Sequence, residues 1–144
     1  MSTPHQYEVN IQWNEGRKGI LSSPVLDETI HCATPPEFPQ GVPGIWSPEH
    51  LYAAAISSCY LATFLAIAEN FKLPFKDFRC TTVCQLELVD GRYLISKASI
   101  RPTLALENLA DDRAKAIRVL EKSKAACLVT NSMKTDIVLL PELV

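Results

Sequence analysis

The sequence predicts an α+β fold with mainly antiparallel sheets, and three observations support this class. Segments that alternate apolar and polar residues, as strands do, lie on both sides of a long apolar stretch and show no regular alternation with helices. Asp90-Gly91 separates two of these segments and is typical of the two-residue turn that joins antiparallel strands. The 144 residues are 47% apolar and 21% charged, the size and composition of one soluble domain. We therefore expect a single domain over residues 1–144.

The first third of the chain is predicted to form three short strands and a long loop. Residues 7–13 alternate and end at turn residues, and residues 19–24 and 28–32 have the composition of two further strands. Residues 35–48 contain five of the ten prolines, which excludes regular structure, but also several large apolar side chains. We expect an ordered loop that packs on the body of the protein, as long functional loops often do.

A long helix is predicted to follow this loop. The tripeptide Ser47-Pro48-Glu49 supplies an N-cap hydroxyl, a proline at the first helical position and an acid in the first turn. The helix can continue to about Asn70, and residues 51–68 are nearly all apolar. This run reaches the lower limit of length for a membrane span, but small polar residues interrupt it and strands flank it. We therefore expect the buried central helix of a soluble fold.

The second half of the chain predicts a hairpin, a helix and a strand. Residues 75–89 and 92–103 are strand-like and flank the Asp90-Gly91 turn. Apolar residues recur at helical spacing over residues 109–120, with acids early and bases late on the opposite face. The sequence places Cys127 at the end of this helix and predicts a last strand over residues 135–140.

Composition also restricts the partners and the location. The 14 basic and 16 acidic residues give a net charge of −2 without a basic block, which argues against nucleic acid or an anionic membrane surface as a partner. The N-terminus has neither a basic opening nor an apolar run that ends in small residues, so no secretory signal is expected. The expected location is the cytoplasm.

The five cysteines are an odd number in a chain large enough to fold by apolar burial, so some thiols should be free. Cys80 and Cys84 lie on one face of a predicted strand, about 13 Å apart, and are interpreted as inert core residues. Cys32, at the end of a short strand, is also interpreted as structural. The three histidines lack the spacing of a zinc site, so no bound metal is expected.

Cys59 and Cys127 are the cysteines with the strongest case for chemistry. Ser57-Ser58-Cys59 introduces three small polar atoms into an apolar helix, which indicates either a functional thiol or close packing of small residues. Cys127 lies at a helix end beside polar residues, where we expect partial exposure.

Three features together resemble the OsmC/Ohr family, named for osmotically inducible protein C and organic hydroperoxide resistance. They are the sequence SPEHLYAAAISSC over residues 47–59, Cys127 after an alanine-rich helix, and Gly-Arg-Lys-Gly over residues 16–19. The pattern P-E-x-L-x-A-A-x-x-x-x-C is fairly specific, and the order of elements agrees over nearly the whole chain. One departure is Leu128, since many members have proline directly after the second cysteine.

The resemblance implies a thiol peroxidase that reduces alkyl or fatty-acid hydroperoxides in oxidative-stress defence. Cys59 would attack the peroxide and become a sulfenic acid, and Cys127 would condense with it to a disulfide. Arg17 would stabilise the Cys59 thiolate, and Glu49 would orient the Arg17 guanidinium through an ion pair. An external dithiol, such as the lipoyl group of another protein, would reduce the disulfide, and no metal, haem or flavin would be needed.

The spacing of these residues raises a geometric question. Burial raises the pKa of a cysteine in the middle of a helix, so a nearby cation is required to hold it as a thiolate. Glu49 precedes Cys59 by ten residues, about 15 Å along one helix, so both serve one site only if the helix breaks or a second protomer supplies Glu49. The resemblance implies an intertwined homodimer with active sites at the subunit interface, which agrees with the second alternative.

Two other classes of function stay open. A cysteine hydrolase or acyl-transfer enzyme could use Cys59 with His31 or His50 as the base, although His50 lies about 13 Å from Cys59 along the same helix. A binding protein could instead hold an apolar ligand without turnover of its thiols, for which Leu128 is a weak indication.

Overall fold

The computed structural model describes residues 3–144 and confirms an α+β architecture with two compact units, one ending at Leu51 and the other comprising Tyr52–Val144. The elements in chain order are β1 (Asn10–Glu15), β2 (Lys18–Ser23), β3 (Leu26–Ala33), α1 (Pro48–Asn70), β4 (Phe75–Val89), β5 (Arg92–Leu106), α2 (Leu109–Ala126), α3 (Leu128–Asn131), β6 (Asp136–Leu139) and β7 (Glu142–Leu143). Helix α1 begins in the first unit and continues into the second.

The first unit contains a three-stranded antiparallel sheet in the order β1-β2-β3. Gly16 and Arg17 form the two-residue turn of its first hairpin, where Gly16 takes a positive φ of 51°. Strand β1 begins at Asn10 and not at residue 7 as predicted. Asn10 pairs with Ser22, and no residue of β2 beyond Ser22 pairs with β1. Pro24 follows β2 and has no N–H with which to extend the ladder.

The segment between β3 and α1 is an ordered loop, as predicted. The backbone N–H of Thr34 donates to the Arg17 carbonyl oxygen at 3.2 Å, and that of Val42 donates to the Thr34 carbonyl oxygen at 2.9 Å. A Cβ atom on Gly41 would lie 1.9 Å from the carbonyl oxygen of Pro35, so only glycine fits there. These contacts attach the loop to the first hairpin of its own unit.

The second unit contains a mixed sheet centred on β5. Asp90 and Gly91, with φ of 49° and 80°, form the predicted two-residue turn, and Val89 pairs with Arg92 directly across it. Strand β5 extends to Leu106, and both β6 and β7 pair with it in parallel. The prediction of mainly antiparallel sheets is confirmed, since β1-β2, β2-β3 and β4-β5 are antiparallel. The two short strands β6 and β7 are the exception, because the chain crosses over through α2 before it returns to the sheet.

The core of the second unit is formed by α1, α2 and the strands β4 and β5. Its buried members are apolar or aromatic side chains at helical or alternating spacing: Ile56, Tyr60, Phe64, Ala68, Leu73, Ala98, Ile100, Leu104, Leu106, Ala116, Val119 and Leu120. Phe64 stacks on Phe78 with ring centroids 4.5 Å apart, and the buried Tyr60 hydroxyl donates to the Leu120 carbonyl oxygen at 2.8 Å. These contacts fix α1 and α2 against β4.

Helix α1 departs from the expected buried central helix, because the single chain covers only one of its faces. Ile56, Tyr60, Phe64 and Ala68 repeat every fourth residue and are its only buried residues. On the opposite side Leu65 is 46% exposed, and most of the neighbouring alanines are half-buried or exposed. By length and composition alone α1 could also cross a membrane, a test that core helices of soluble proteins pass as well.

Candidate functional site

The structure brings together two of the residues singled out in the sequence, Cys59 and Cys127. Cys59 lies in α1 and Cys127 lies between α2 and α3. Both are free thiols, and hydrogen bonding with the Cys127 thiol is among the causes that lower the pKa of Cys59. Two cysteines that are 68 positions apart in sequence therefore lie near each other, which makes this pair the candidate reactive centre.

The two thiols differ in their access to solvent. Cys59 is half-buried, whereas Cys127 has no exposed surface. The partial exposure expected for Cys127 is therefore wrong. The reason is that Cys127 continues the buried face of α2, which includes Leu120 and Ser123 at helical spacing before it.

Main-chain hydrogen bonds fix the position of Cys127. Its own N–H donates to the Lys124 carbonyl oxygen at 3.3 Å and ends α2. Its carbonyl oxygen accepts the N–H of Asn131 at 3.0 Å and the Thr130 hydroxyl at 3.1 Å. The chain therefore turns sharply at Cys127, and the short helix α3 begins at the next residue.

The pKa of Cys59 lies below that of an ordinary cysteine. Burial acts to raise it, but hydrogen bonds to the sulfur outweigh burial: from the Val129 backbone, the Cys127 thiol, the Thr63 hydroxyl and the Leu128 backbone. Donors that point at a sulfur atom favour its charged form. At neutral pH a larger fraction of Cys59 is therefore the thiolate, the nucleophilic form, than in an ordinary cysteine.

The Thr63 hydroxyl already has another acceptor besides the Cys59 sulfur. A hydroxyl carries one hydrogen, and that of Thr63 is donated to the Cys59 carbonyl oxygen at 2.8 Å. The Cys59 sulfur lies 4.0 Å from the Thr63 oxygen, too far to compete for the same hydrogen. The lowered pKa of Cys59 therefore rests chiefly on the Val129 backbone and the Cys127 thiol, and the Leu128 backbone contributes least.

The remaining cysteines are placed as packing residues. Cys80 and Cys84 lie on one face of β4, where both pack against the core of the second unit. Burial raises the pKa of both thiols, which keeps them protonated at neutral pH. Cys32 lies in β3 of the first unit, and its thiol points to the Gly19 carbonyl oxygen at 3.6 Å.

Arg17 and Glu49 are not joined by an ion pair within residues 3–144. Arg17 is exposed in the turn of the first hairpin, and Glu49 lies in the first turn of α1. The Oε1 atom of Glu49 is buried and has no hydrogen-bond partner among the described residues. Burying a carboxylate oxygen without a partner costs free energy, so this oxygen of Glu49 needs a donor that residues 3–144 of one chain do not supply.

The two histidines considered as bases lie in the first unit. The Nδ1 atom of His50 is 2.6 Å from the buried Ser47 hydroxyl, which also accepts the His50 backbone N–H. His50 is therefore part of the cap of α1, with one ring nitrogen already engaged. His31 is an exposed residue of β3, paired with Ile20. Over residues 3–144, His, Cys, Asp and Glu do not cluster in threes as a metal site would require.

The functional groups that sequence reasoning missed are the backbone N–H groups of Leu128 and Val129. Every residue except proline carries a backbone N–H, so the identity of residues 128 and 129 does not reveal that these groups are functional. The only available signal was negative, namely that residue 128 is not a proline.

Three known proteins are similar to this chain over nearly its whole length. Over 137 residues it is 23% identical to the uncharacterized protein YmaD of Bacillus subtilis (strain 168), covering 92% of this chain and 89% of that protein. Its fold is similar to that of the OsmC-like protein of unknown function VCA0330 from Vibrio cholerae O1 biovar eltor (strain N16961), with a TM-score of 0.84 and 18% identity, covering 98% of this chain and 100% of that one. It is also similar to an organic hydroperoxide resistance protein from Elizabethkingia anophelis, with a TM-score of 0.77 and 16% identity, covering 99% of this chain and 98% of that one. At these identities the structural likenesses establish the fold alone.

The family described as OsmC-like protein matches residues 41–140, which is more than half of the chain. The matched stretch includes Glu49, Cys59 and Cys127, and it begins after the hairpin that carries Arg17. Together with the shared fold, this match shows that the chain belongs to the OsmC-like protein family.

Proposed function

We propose that this protein is a thiol peroxidase that reduces organic hydroperoxides to alcohols through a cycle of two cysteines. The observation that carries the proposal is the interaction of Cys59, which is half-buried and has a lowered pKa, with the fully buried thiol of Cys127. A peroxide has to reach the attacking sulfur, whereas the second thiol only has to reach the first. The difference in exposure suits this division of roles.

The proposed cycle has three balanced steps. The Cys59 thiolate attacks the distal oxygen of the hydroperoxide, the O–O bond breaks, and the alkoxide takes up a proton and leaves as an alcohol. The Cys59 sulfenic acid then condenses with the Cys127 thiol, which forms a disulfide and releases water. A dithiol finally reduces this disulfide by two exchange reactions and becomes a cyclic disulfide itself.

We further propose that Arg17 and Glu49 act in a homodimer. Helix α1 is uninterrupted from Pro48 to Asn70, so no break brings Glu49 closer to Cys59 along the helix. The unpartnered Oε1 atom of Glu49 and the exposed apolar face of α1 around Leu65 support a second copy as the missing partner. In that assembly Glu49 would orient Arg17, whose guanidinium would stabilise the thiolate and the peroxide oxygen.

The substrate and the reductant are also part of the proposal. Leu128, which directly follows Cys127, has a side chain that is 70% exposed and could contact the organic part of a hydroperoxide. We therefore propose alkyl or fatty-acid hydroperoxides as substrates, a lipoyl-type dithiol on a partner protein as reductant, and the cytoplasm as the location. Neither nucleic acid nor a membrane is proposed as a partner.

The test is mass spectrometry without reducing agent after one equivalent of an organic hydroperoxide, on the wild type and on Cys59→Ser. We expect loss of two hydrogens and a peptide crosslink between Cys59 and Cys127 in the wild type only. Thiols that stay reduced, or oxidation confined to Cys32, Cys80 or Cys84, would reject the peroxidase. Hydrolysis of thioesters would then become the activity to assay.

A further inference from the structure

The turn that carries Arg17 has little packing to hold it in place. Gly16 and Arg17 are both exposed, and a Cβ atom on Gly16 would meet no atom beyond its sequence neighbours within 4 Å. Among residues 3–144 the Arg17 side chain forms no ion pair. The position of the guanidinium therefore depends on the main chain of the turn and on the groups that fix that main chain.

Two hydrogen bonds from outside the turn fix its main chain. The indole Nε1–H of Trp13 donates to the Gly16 carbonyl oxygen at 3.0 Å, and the backbone N–H of Thr34 donates to the Arg17 carbonyl oxygen at 3.2 Å. Both distances lie within the usual range for N–H···O hydrogen bonds. The turn is therefore attached to β1 on one side and to the segment that follows β3 on the other.

Trp13 is poorly explained as a packing residue. It is 70% exposed, so it buries little apolar surface within the chain. Its cross-strand partner is Gly19, which has no side chain to contact it. The register of β1 against β2 shifts between Trp13 and Glu15, and such a bulge bends a strand and redirects its side chains. The interaction that the structure shows for the indole is its hydrogen bond to the turn.

We propose that Trp13 is a positioning residue for Arg17, whose indole N–H holds the turn in the conformation from which Arg17 stabilises the Cys59 thiolate. This inference rests on the proposed function, which assigns that role to Arg17. A turn held in one conformation presents its cation correctly in a larger fraction of molecules, so less free energy is needed to order it during the reaction. The indole N–H suits this task because it only donates, and phenylalanine has no such donor.

The experiment is a double-mutant cycle on the pH dependence with which iodoacetamide alkylates Cys59, followed by peptide mass spectrometry. Trp13→Phe keeps an aromatic ring and removes the N–H, and Trp46→Phe, at an exposed tryptophan outside the turn, is the matched control. We expect Arg17→Ala to raise the midpoint by about one pH unit, and Trp13→Phe by about half a unit, which lowers the rate at pH 7 about threefold. In the Arg17→Ala background Trp13→Phe should have no further effect, and Trp46→Phe should keep the wild-type midpoint.

Three outcomes would overturn the proposal. They are an unchanged midpoint in Trp13→Phe, an equal shift from Trp13→Phe in both backgrounds, and an unchanged midpoint in Arg17→Ala, which would leave Trp13 no cation to position. Alkylation requires no peroxide. Coupled shifts without a disulfide between Cys59 and Cys127 would therefore reject the proposed peroxidase alone, whereas a disulfide with independent shifts would reject this inference alone.

A second measurement tests the hydrogen bond itself and does not depend on the folding of Trp13→Phe. The chain has two tryptophans, so the indole proton that remains in the NMR spectrum of Trp46→Phe belongs to Trp13. We expect this proton to exchange with water several-fold more slowly than the indole proton of free tryptophan, because it is donated to the Gly16 carbonyl oxygen. Exchange at the rate of free tryptophan would refute the contact and with it the proposal.

Discussion

Cys127 has two proposed roles, as hydrogen-bond donor to Cys59 and as its disulfide partner, and two substitutions separate them. Cys127→Ala removes both the donor and the thiol, whereas Cys127→Ser keeps a hydroxyl donor of similar size. A hydrogen bond to a charged group is worth about 1.5 kcal/mol at the lower end, and one pH unit corresponds to about 1.4 kcal/mol. Because a thiol is a weak donor, we expect the midpoint of Cys59 alkylation to rise by up to about one pH unit in Cys127→Ala. We expect Cys127→Ser to stay at or below the wild-type midpoint.

The same two variants should share one defect in their reaction with an organic hydroperoxide. Without Cys127, Cys59 should gain one oxygen as a sulfenic acid and should not lose two hydrogens in a disulfide. Intact mass after one equivalent of oxidant, with thermal melting as a control for the buried substitution, measures this difference. An unchanged midpoint in Cys127→Ala would refute the role of Cys127 as donor. A Cys59 disulfide that still forms in either variant would refute its role as the partner.

Three further predictions test the hydrogen bonds and the proposed assembly. Thr63→Val should move the alkylation midpoint of Cys59 by less than about 0.3 pH unit, whereas a rise of about one unit would show that the hydroxyl bonds to the sulfur after all. Tyr60→Phe should lower the free energy of unfolding, measured in urea, by about 1–2 kcal/mol, because it leaves the buried carbonyl oxygen of Leu120 without its donor. Tyr52→Phe loses a less buried hydrogen bond and should lower the free energy of unfolding by less. Sedimentation at micromolar concentration should give a dimer that Leu65→Glu weakens, and a wild-type monomer would contradict the proposed assembly.

Local signals in the sequence were sufficient for several elements. Asp90-Gly91 predicts its hairpin because both residues must adopt positive φ, a conformation that few residue types tolerate. Ser47 and Pro48 predict the start of α1 because their chemistry suits the unpaired N–H groups there. Cys59 was also selected locally, as a polar residue within an apolar helix.

Contacts between distant segments left no comparable local signal in the sequence. The parallel pairing of β6 and β7 with β5 depends on a crossover whose direction no short pattern encodes. The burial of Cys127 follows from the face that α2 presents to the core, and the exposure of α1 follows from how little of it one chain covers. Above all, the N–H groups of Leu128 and Val129 are common to almost every residue, so only their position can make them functional. Residue type therefore determined which thiol could react, and the tertiary structure decided which groups stabilise it.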